Sequence, residues 1–159
     1  MLACFPGTII ERNGKSSEEF LSGMFFATKG LLLSQVREIT GLDTPVIQNW
    51  VNRGWIQKPI LKRYTMDHLA RIMIINMLRD VMKLENIVNL MTYINGNLND
   101  RKDDIITESR LYNYIYNVLK YANFNMLFSD IELNKIIVQT IQDYVEPFEG
   151  AYEKLINGL

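Results

Sequence analysis

Ser34-Gln35-Val36-Arg37-Glu38-Ile39-Thr40-Gly41-Leu42-Asp43-Thr44-Pro45-Val46-Ile47-Gln48-Asn49-Trp50-Val51-Asn52-Arg53-Gly54 is the stretch that decides the reading of this chain. Ser34 can cap a short helix through Ile39 that turns Val36 and Ile39 inward. Thr40-Gly41-Leu42 is a tight turn. Asp43 or Thr44 caps the next helix, and Pro45 sits in its first turn, where a missing N–H costs nothing. Val46, Ile47, Trp50 and Val51 recur at helical spacing and face a core, and the helix stops at Gly54. Two short helices joined by a Gly-containing turn make a helix-turn-helix unit.

The next residues, Trp55-Ile56-Gln57-Lys58-Pro59-Ile60-Leu61-Lys62-Arg63-Tyr64, are basic, interrupted by proline and partly β-favouring, and read as a small hairpin or wing. Thr65 or Asp67 then caps a long helix through about Met82. Leu69, Ile72, Met73, Ile74, Ile75, Met77 and Leu78 make it apolar almost all round, so it should be buried on more than one side. A further helix at about 84–94 carries Ile87, Leu90, Met91 and Ile94 and ends at Asn95-Gly96.

Upstream, residues 1–15 read as an irregular arm with turn signals at Pro6-Gly7 and Asn13-Gly14. Ser16 stands three residues before Glu19, a capping-box pattern that opens a helix at about 17–28. Downstream, Asn97 to Asp104 is a polar, charged linker. Leu111, Ile115, Val118 and Ala122 then share one face of a helix at about 105–122. Ser129 and Glu132 open another helix through about Val145, Pro147 breaks the pattern, and 148–158 form a last short helix. The divisions expected are an arm and helix (1–32), a winged helix-turn-helix region (33–94), a linker (95–104) and a C-terminal helical region (105–159). The fold class is mainly α.

Of 159 residues, 48% are hydrophobic and 22% charged, the balance of a chain that can bury a core. Isoleucine (19) and asparagine (15) far outnumber alanine (5), a bias expected of an AT-rich bacterial genome. The single cysteine, Cys4, and single histidine, His68, speak against a disulfide framework, a Cys- or His-built metal centre and a catalytic triad. Cys4 reads as incidental and His68 as a surface or capping residue. Asp100, Asp103, Asp104 and Glu108 do not follow a calcium loop and read as a solvated helix entry. No Gly-rich phosphate loop or nucleophile elbow occurs, so neither catalysis nor a cofactor is expected. No targeting or membrane-spanning segment is expected either, which with one free cysteine fits the cytoplasm.

The formal net charge of −1 conceals an asymmetry. Residues 29–83 hold nine Lys/Arg against four Asp/Glu, a net +5, whereas the rest of the chain is at −6. A basic segment in an otherwise acidic chain calls for an anionic partner at that segment.

Several stretches resemble a known family. Gln35 to Leu42 resembles the opening of a MerR-type winged-helix domain, and Trp50-Val51-Asn52-Arg53-Gly54-Trp55-Ile56 the end of that family's recognition helix. Arg63-Tyr64-Thr65-Met66-Asp67-His68-Leu69 is similar to its wing-to-helix stretch, and Leu84-Glu85-Asn86-Ile87 to the start of its next helix. A narrower similarity spans about 25–120, through Ile75 to Asp80, Tyr93 to Gly96, Asp103 to Ile106, Ser109 and Leu111-Tyr112. It is to an uncharacterised MerR-like family of Gram-positive bacteria, catalogued as a domain of unknown function.

The resemblance implies a winged helix-turn-helix fold and a two-fold dimer on double-stranded DNA. The residues support DNA independently. With Val46, Ile47, Trp50 and Val51 inward, Thr44, Gln48, Asn49, Asn52 and Arg53 face outward, where Gln and Asn can pair with adenine and Thr and Arg can reach phosphates. Lys58, Lys62 and Arg63 of the wing are phosphate contacts. The candidate DNA-contacting set is Gln35, Thr44, Gln48, Asn49, Asn52, Arg53, Lys58, Lys62, Arg63 and Tyr64. Against it stand two plainer readings: a solvated polar helix face, and an interaction module whose basic face docks an acidic protein.

Two departures from the family pattern matter. Val46-Ile47-Gln48 replaces the usual Thr-Leu-Arg. The long dimerising helix does not follow at once, so the seam is expected beyond Asp104, at Leu111, Ile115, Val118 and Ala122. The downstream aromatics Tyr112, Tyr114, Tyr116, Tyr121, Phe124, Phe128, Tyr144, Phe148 and Tyr152 fit either core and dimer interface or a pocket for a small-molecule effector.

Overall fold

The computed structural model describes residues 3–96, 102 and 105–121. Ala122, most of the expected linker and every residue of the two helices expected after 129 lie outside them, as do the aromatics from Phe124 onward. Among the described residues the chain is mainly helical, with six helices. They are α1 (Ser17–Phe25), α2 (Leu33–Thr40), α3 (Thr44–Asn52), α4 (Met66–Leu78), α5 (Leu84–Asn95) and α6 (Glu108–Tyr121). Among the described residues, the β-bridges are isolated and antiparallel: Cys4 with Glu11, Leu31 with Tyr64, and Ile60 with Arg63.

α4 is the axis of the molecule. His68 through Ile75 are buried without interruption, and Leu78 follows. A helix apolar on nearly every side is stable only when other elements cover every side. α2, α5 and α6 supply that cover. The start of α4 is fixed by its own side chains. The Thr65 hydroxyl accepts the His68 N–H at 3.2 Å, and the Thr65 N–H donates to His68 Nδ1 at 3.0 Å. This is a capping box with histidine where glutamate is usual. With Nδ1 accepting, the ring proton sits on Nε2, which donates to Gln57 Oε1 at 3.2 Å. His68 is therefore a capping residue, but a buried one rather than the surface residue expected.

α1 begins with the expected box, Glu19 N–H to Ser16 Oγ at 3.1 Å and Ser16 N–H to Glu19 Oε2 at 3.0 Å. The arm before it is irregular, as expected, yet it is packed. Phe5 is buried and stacks on Phe20 at 4.1 Å between ring centroids. The Gly7 carbonyl accepts a hydrogen bond from Asn76 Nδ2 on α4 at 3.0 Å.

α6 joins the same core, lying along α4 and against α1. Tyr112 and Tyr116 reach across it. Their hydroxyls donate to the carbonyls of Pro6 at 2.7 Å and Lys15 at 2.9 Å, and so pin both ends of the arm. Asp67 Oδ1 on α4 accepts the N–H of Ser109 at 3.1 Å, which satisfies a donor of the first turn of α6. Asn95, at the end of α5, brackets Ile106. Its amide donates to the Ile106 carbonyl at 2.6 Å and its oxygen accepts the Ile106 N–H at 3.3 Å.

This arrangement corrects the expected seam. Leu111 and Ile115, at 3% and 6% exposure, pack inside the chain's own core. Val118 is half-buried. The amphipathic face predicted from spacing exists, but α4 and α1 cover it. Glu108 is likewise no solvated helix entry: it is 4% exposed and faces Arg71.

Candidate nucleic-acid interface

α2 and α3 are joined by Gly41, Leu42 and Asp43. Gly41 sits at φ +71°, the left-handed conformation that ends a helix sharply, and its N–H donates to the Arg37 carbonyl at 2.8 Å. Leu42 is buried beneath the turn. α3 follows with Pro45 in its first turn. Ile47 and Trp50 are buried at 0% and 1% exposure, while Val46 and Val51 are half-buried beside them. Arg79, just past α4, stands over the Trp50 ring, 5.9 Å from its centroid.

With that side fixed, Gln48, Asn49, Asn52 and Arg53 are exposed and Thr44 is half-buried. Two of them are joined. Arg53 Nε donates to Asn49 Oδ1 at 3.2 Å, and the guanidinium lies 5.1 Å from the Trp55 ring centroid. The two contacts restrain the Arg53 side chain.

Past α3, Trp55 folds back so that its N–H donates to the Trp50 carbonyl at 2.9 Å. The expected hairpin is reduced to one closed turn. Ile60 and Arg63 exchange both backbone hydrogen bonds at 2.9 Å, with Leu61 and Lys62 between them at φ 50° and 61°. Tyr64 and Leu31 exchange two more at 2.8 Å. Arg63 Nη1 also donates to the Gly30 carbonyl at 3.2 Å. A groove of about 610 Å³ beside the turn is lined by Ala27, Thr28, Lys29, Ile60, Leu61, Arg63 and Thr65.

Lys58, Lys62 and Arg63 are exposed. Tyr64 is not: at 4% exposure it belongs to the core, edge-on to His68 with ring centroids 6.0 Å apart. Burial pushes its phenol pKa up. Alternation along an extended stretch explains the correction, since Arg63 and Tyr64 must point to opposite sides. Gln35 is half-buried and engaged, its side-chain oxygen accepting the Leu32 N–H at 2.8 Å at the start of α2. The sequence reading missed Leu61, an apolar side chain of the turn that is 91% exposed. An apolar residue beside two cations carries no sequence signal of exposure.

Charge follows the same pattern. Residues 44–66 contain Arg53, Lys58, Lys62 and Arg63 and no Asp or Glu. Of the nine cations in 29–83, Arg71 alone is buried. Among the described residues, no group of His, Cys, Asp and Glu is arranged to hold a metal ion. No helix among them is long and apolar enough to cross a membrane.

These features define a small helical protein with a polar, cationic surface on α3 and the turn that follows it. The chain belongs to the family described as a domain of unknown function, DUF1836, whose model matches residues 25–115. No curated protein and no solved structure matches it.

Proposed function

We propose that the chain is a non-catalytic, sequence-specific DNA-binding transcriptional regulator of winged helix-turn-helix, MerR-like type. In this reading α3 is the recognition helix and the Ile60–Arg63 turn is the tip of the wing. The observation that carries it is the division of α3. Ile47 and Trp50 anchor one side, while Gln48, Asn49, Asn52 and Arg53 are left to solvent, and no carboxylate intervenes before Asp67. Amide side chains suit adenine edges in the major groove, and the flanking cations suit phosphates. The regulator acts as a two-fold dimer whose seam excludes Leu111 and Ile115, because their own chain already covers them. An effector, where one acts, is a small molecule.

The test is fluorescence anisotropy with a duplex selected from a random-sequence pool and a scrambled duplex, at several salt concentrations. Removing Lys62 or Arg63 should weaken binding to both duplexes alike and lower the slope of log K against log salt by about one unit. Gln48→Ala should leave the slope unchanged and cost about 1–3 kcal/mol on the selected duplex only. No affinity for any duplex at low salt overturns the reading.

A second reading is an interaction module that docks an acidic protein. It is favoured by the exposure of Ile60 (59%) and Leu61 (91%) on the basic turn, since such patches often mark protein interfaces. In that case the protein retains its fold and binds neither duplex.

A further inference from the structure

The Leu61-Lys62 turn carries strain that the chain's own packing does not offset. Both residues have positive φ, 50° and 61°. Two-residue hairpin turns of this kind are ordinarily made from Gly, Asn or Asp, because a Cβ crowds the backbone there. Leu61 gives nothing back in burial: it is 91% exposed, and Ile60 beside it is 59% exposed. A leucine is thus held at the apex of a tight turn and aimed at solvent.

Its surroundings select the partner. Lys58, Lys62 and Arg63 are exposed around the apex, and Lys29 lines the adjoining groove. The nearest carboxylates in sequence are Asp43 and Asp67. This charge complements a polyanion. Phosphates alone offer a leucine no contact, but a base step does. Apolar side chains at the tip of a cationic element can enter the minor groove, wedge between stacked base pairs and kink the duplex.

We propose that Leu61 is such a wedge, inserting at a base step of the bound duplex while Lys58, Lys62 and Arg63 neutralise the flanking phosphates. The proposal rests on the DNA-binding reading above and adds to it a bent DNA product. Specificity then includes the ease of unstacking at the step where Leu61 enters, which favours flexible pyrimidine–purine steps over positions read by hydrogen bonds.

The experiment uses the full chain and the selected duplex labelled at both ends for energy transfer. Leu61→Gly and Leu61→Asn are the variants, because both residues accept positive φ and so keep or relax the turn. Their thermal midpoints should equal or exceed that of the wild type. The wild type should raise energy transfer by bending the duplex. Both variants should return it toward the value of free DNA and weaken binding about tenfold, the scale of exposing one buried leucine. The salt slope should not change, because no charge is removed. Wild-type binding without bending, or bending and affinity retained in both variants, overturns the wedge and leaves the DNA reading standing. A wild type that binds no duplex at low salt overturns both.

Discussion

Arg71 Nη1 on α4 lies 3.6 Å from Glu108 Oε1 at the first residue of α6, and both side chains are nearly closed off from solvent, at 3% and 5% exposure. Arg71 Nε donates to the Trp55 carbonyl at 2.6 Å as well. One guanidinium therefore ties the segment after α3 to the start of α6. It also takes Arg71 out of the basic surface, so that the charge asymmetry along the sequence overstates by one cation what a ligand meets.

Removing one partner of this pair should destabilise the fold strongly. Glu108→Ala removes the carboxylate that faces a buried guanidinium, and losing one partner of a buried ion pair costs about 3–5 kcal/mol. The double variant Arg71→Met/Glu108→Leu should recover only part of that: an apolar pair needs no counter-charge, but the Trp55 carbonyl loses the donor that Arg71 Nε supplies. Urea denaturation of the two proteins decides it. Equal midpoints for Glu108→Ala and wild type would mean that the pair is hydrated in solution.

The packing of the arm can be tested with two glycines of opposite expected sign. A Cβ built on Gly7 would meet the Met73 carbonyl oxygen at 2.1 Å, at φ +72°. Neither backbone can yield without moving the arm off α4. Gly7→Ala should therefore cost more than the roughly 1–2 kcal/mol of left-handed strain alone. Gly23, inside α1, has nothing within 4 Å of its Cβ position, so Gly23→Ala should stabilise by about 0.5–1 kcal/mol through helix propensity. A Gly7→Ala protein that melts with the wild type would show the arm detached.

Most of the helices are legible in the sequence because their ends are marked locally. The Ser16/Glu19 box, Gly41, Pro45, Thr65 and Gly96 each fall within a residue or two of an observed boundary. What covers a helix is not local. The stripe of Leu111 and Ile115 requires an apolar neighbour but does not say whether α4 or another copy supplies it. For the same reason the arm is irregular in sequence yet packed in space, since Phe5 finds Phe20 and Tyr116 only in the folded chain. On the candidate surface, the outward set of α3 follows from helical periodicity. Tyr64 does not, because one residue of register in an extended stretch exchanges inside for outside.

Tyr112 should make the fold sensitive to alkali. Burial, with Tyr116 as a second and smaller cause, pushes its phenol pKa well above the ordinary value of 10.0. The unfolded chain then loses this proton at a lower pH than the folded chain does. Stability from this group is thus complete below pH 10 and falls as pH rises above it, because hydroxide draws the unfolded state down first. Tyr112→Phe should lower stability at pH 7 by about 1–3 kcal/mol, through the orphaned Pro6 carbonyl. Its decline above pH 10 should be shallower than that of the wild type. Parallel curves of denaturation free energy against pH would show that Tyr112 ionises without unfolding the chain.

The contact between Asn49 and Arg53 makes their effects on DNA affinity interdependent. If each acted alone, Asn49→Ala would remove a base contact and Arg53→Ala a phosphate contact, and the losses would add. But Arg53 Nε donates to Asn49 Oδ1, and the guanidinium rests against Trp55. Removing Asn49 frees Arg53 to sample other rotamers, so the single variant carries some of the arginine's loss. Groups in direct contact typically show coupling of about 0.5–3 kcal/mol. The Asn49→Ala/Arg53→Ala double variant should therefore bind the selected duplex more tightly than the sum of single losses requires. Asn49→Ala should also weaken the scrambled duplex slightly, since a phosphate contact is read on every sequence. Gln48→Ala serves as the control, because the side-chain partners of Arg53 are Asn49 and Trp55, and the loss at Gln48 should add to that of Arg53→Ala. Strict additivity for Asn49 and Arg53 across anisotropy titrations at two salt concentrations would mean that their hydrogen bond is absent on DNA. Each residue would then reach the duplex independently.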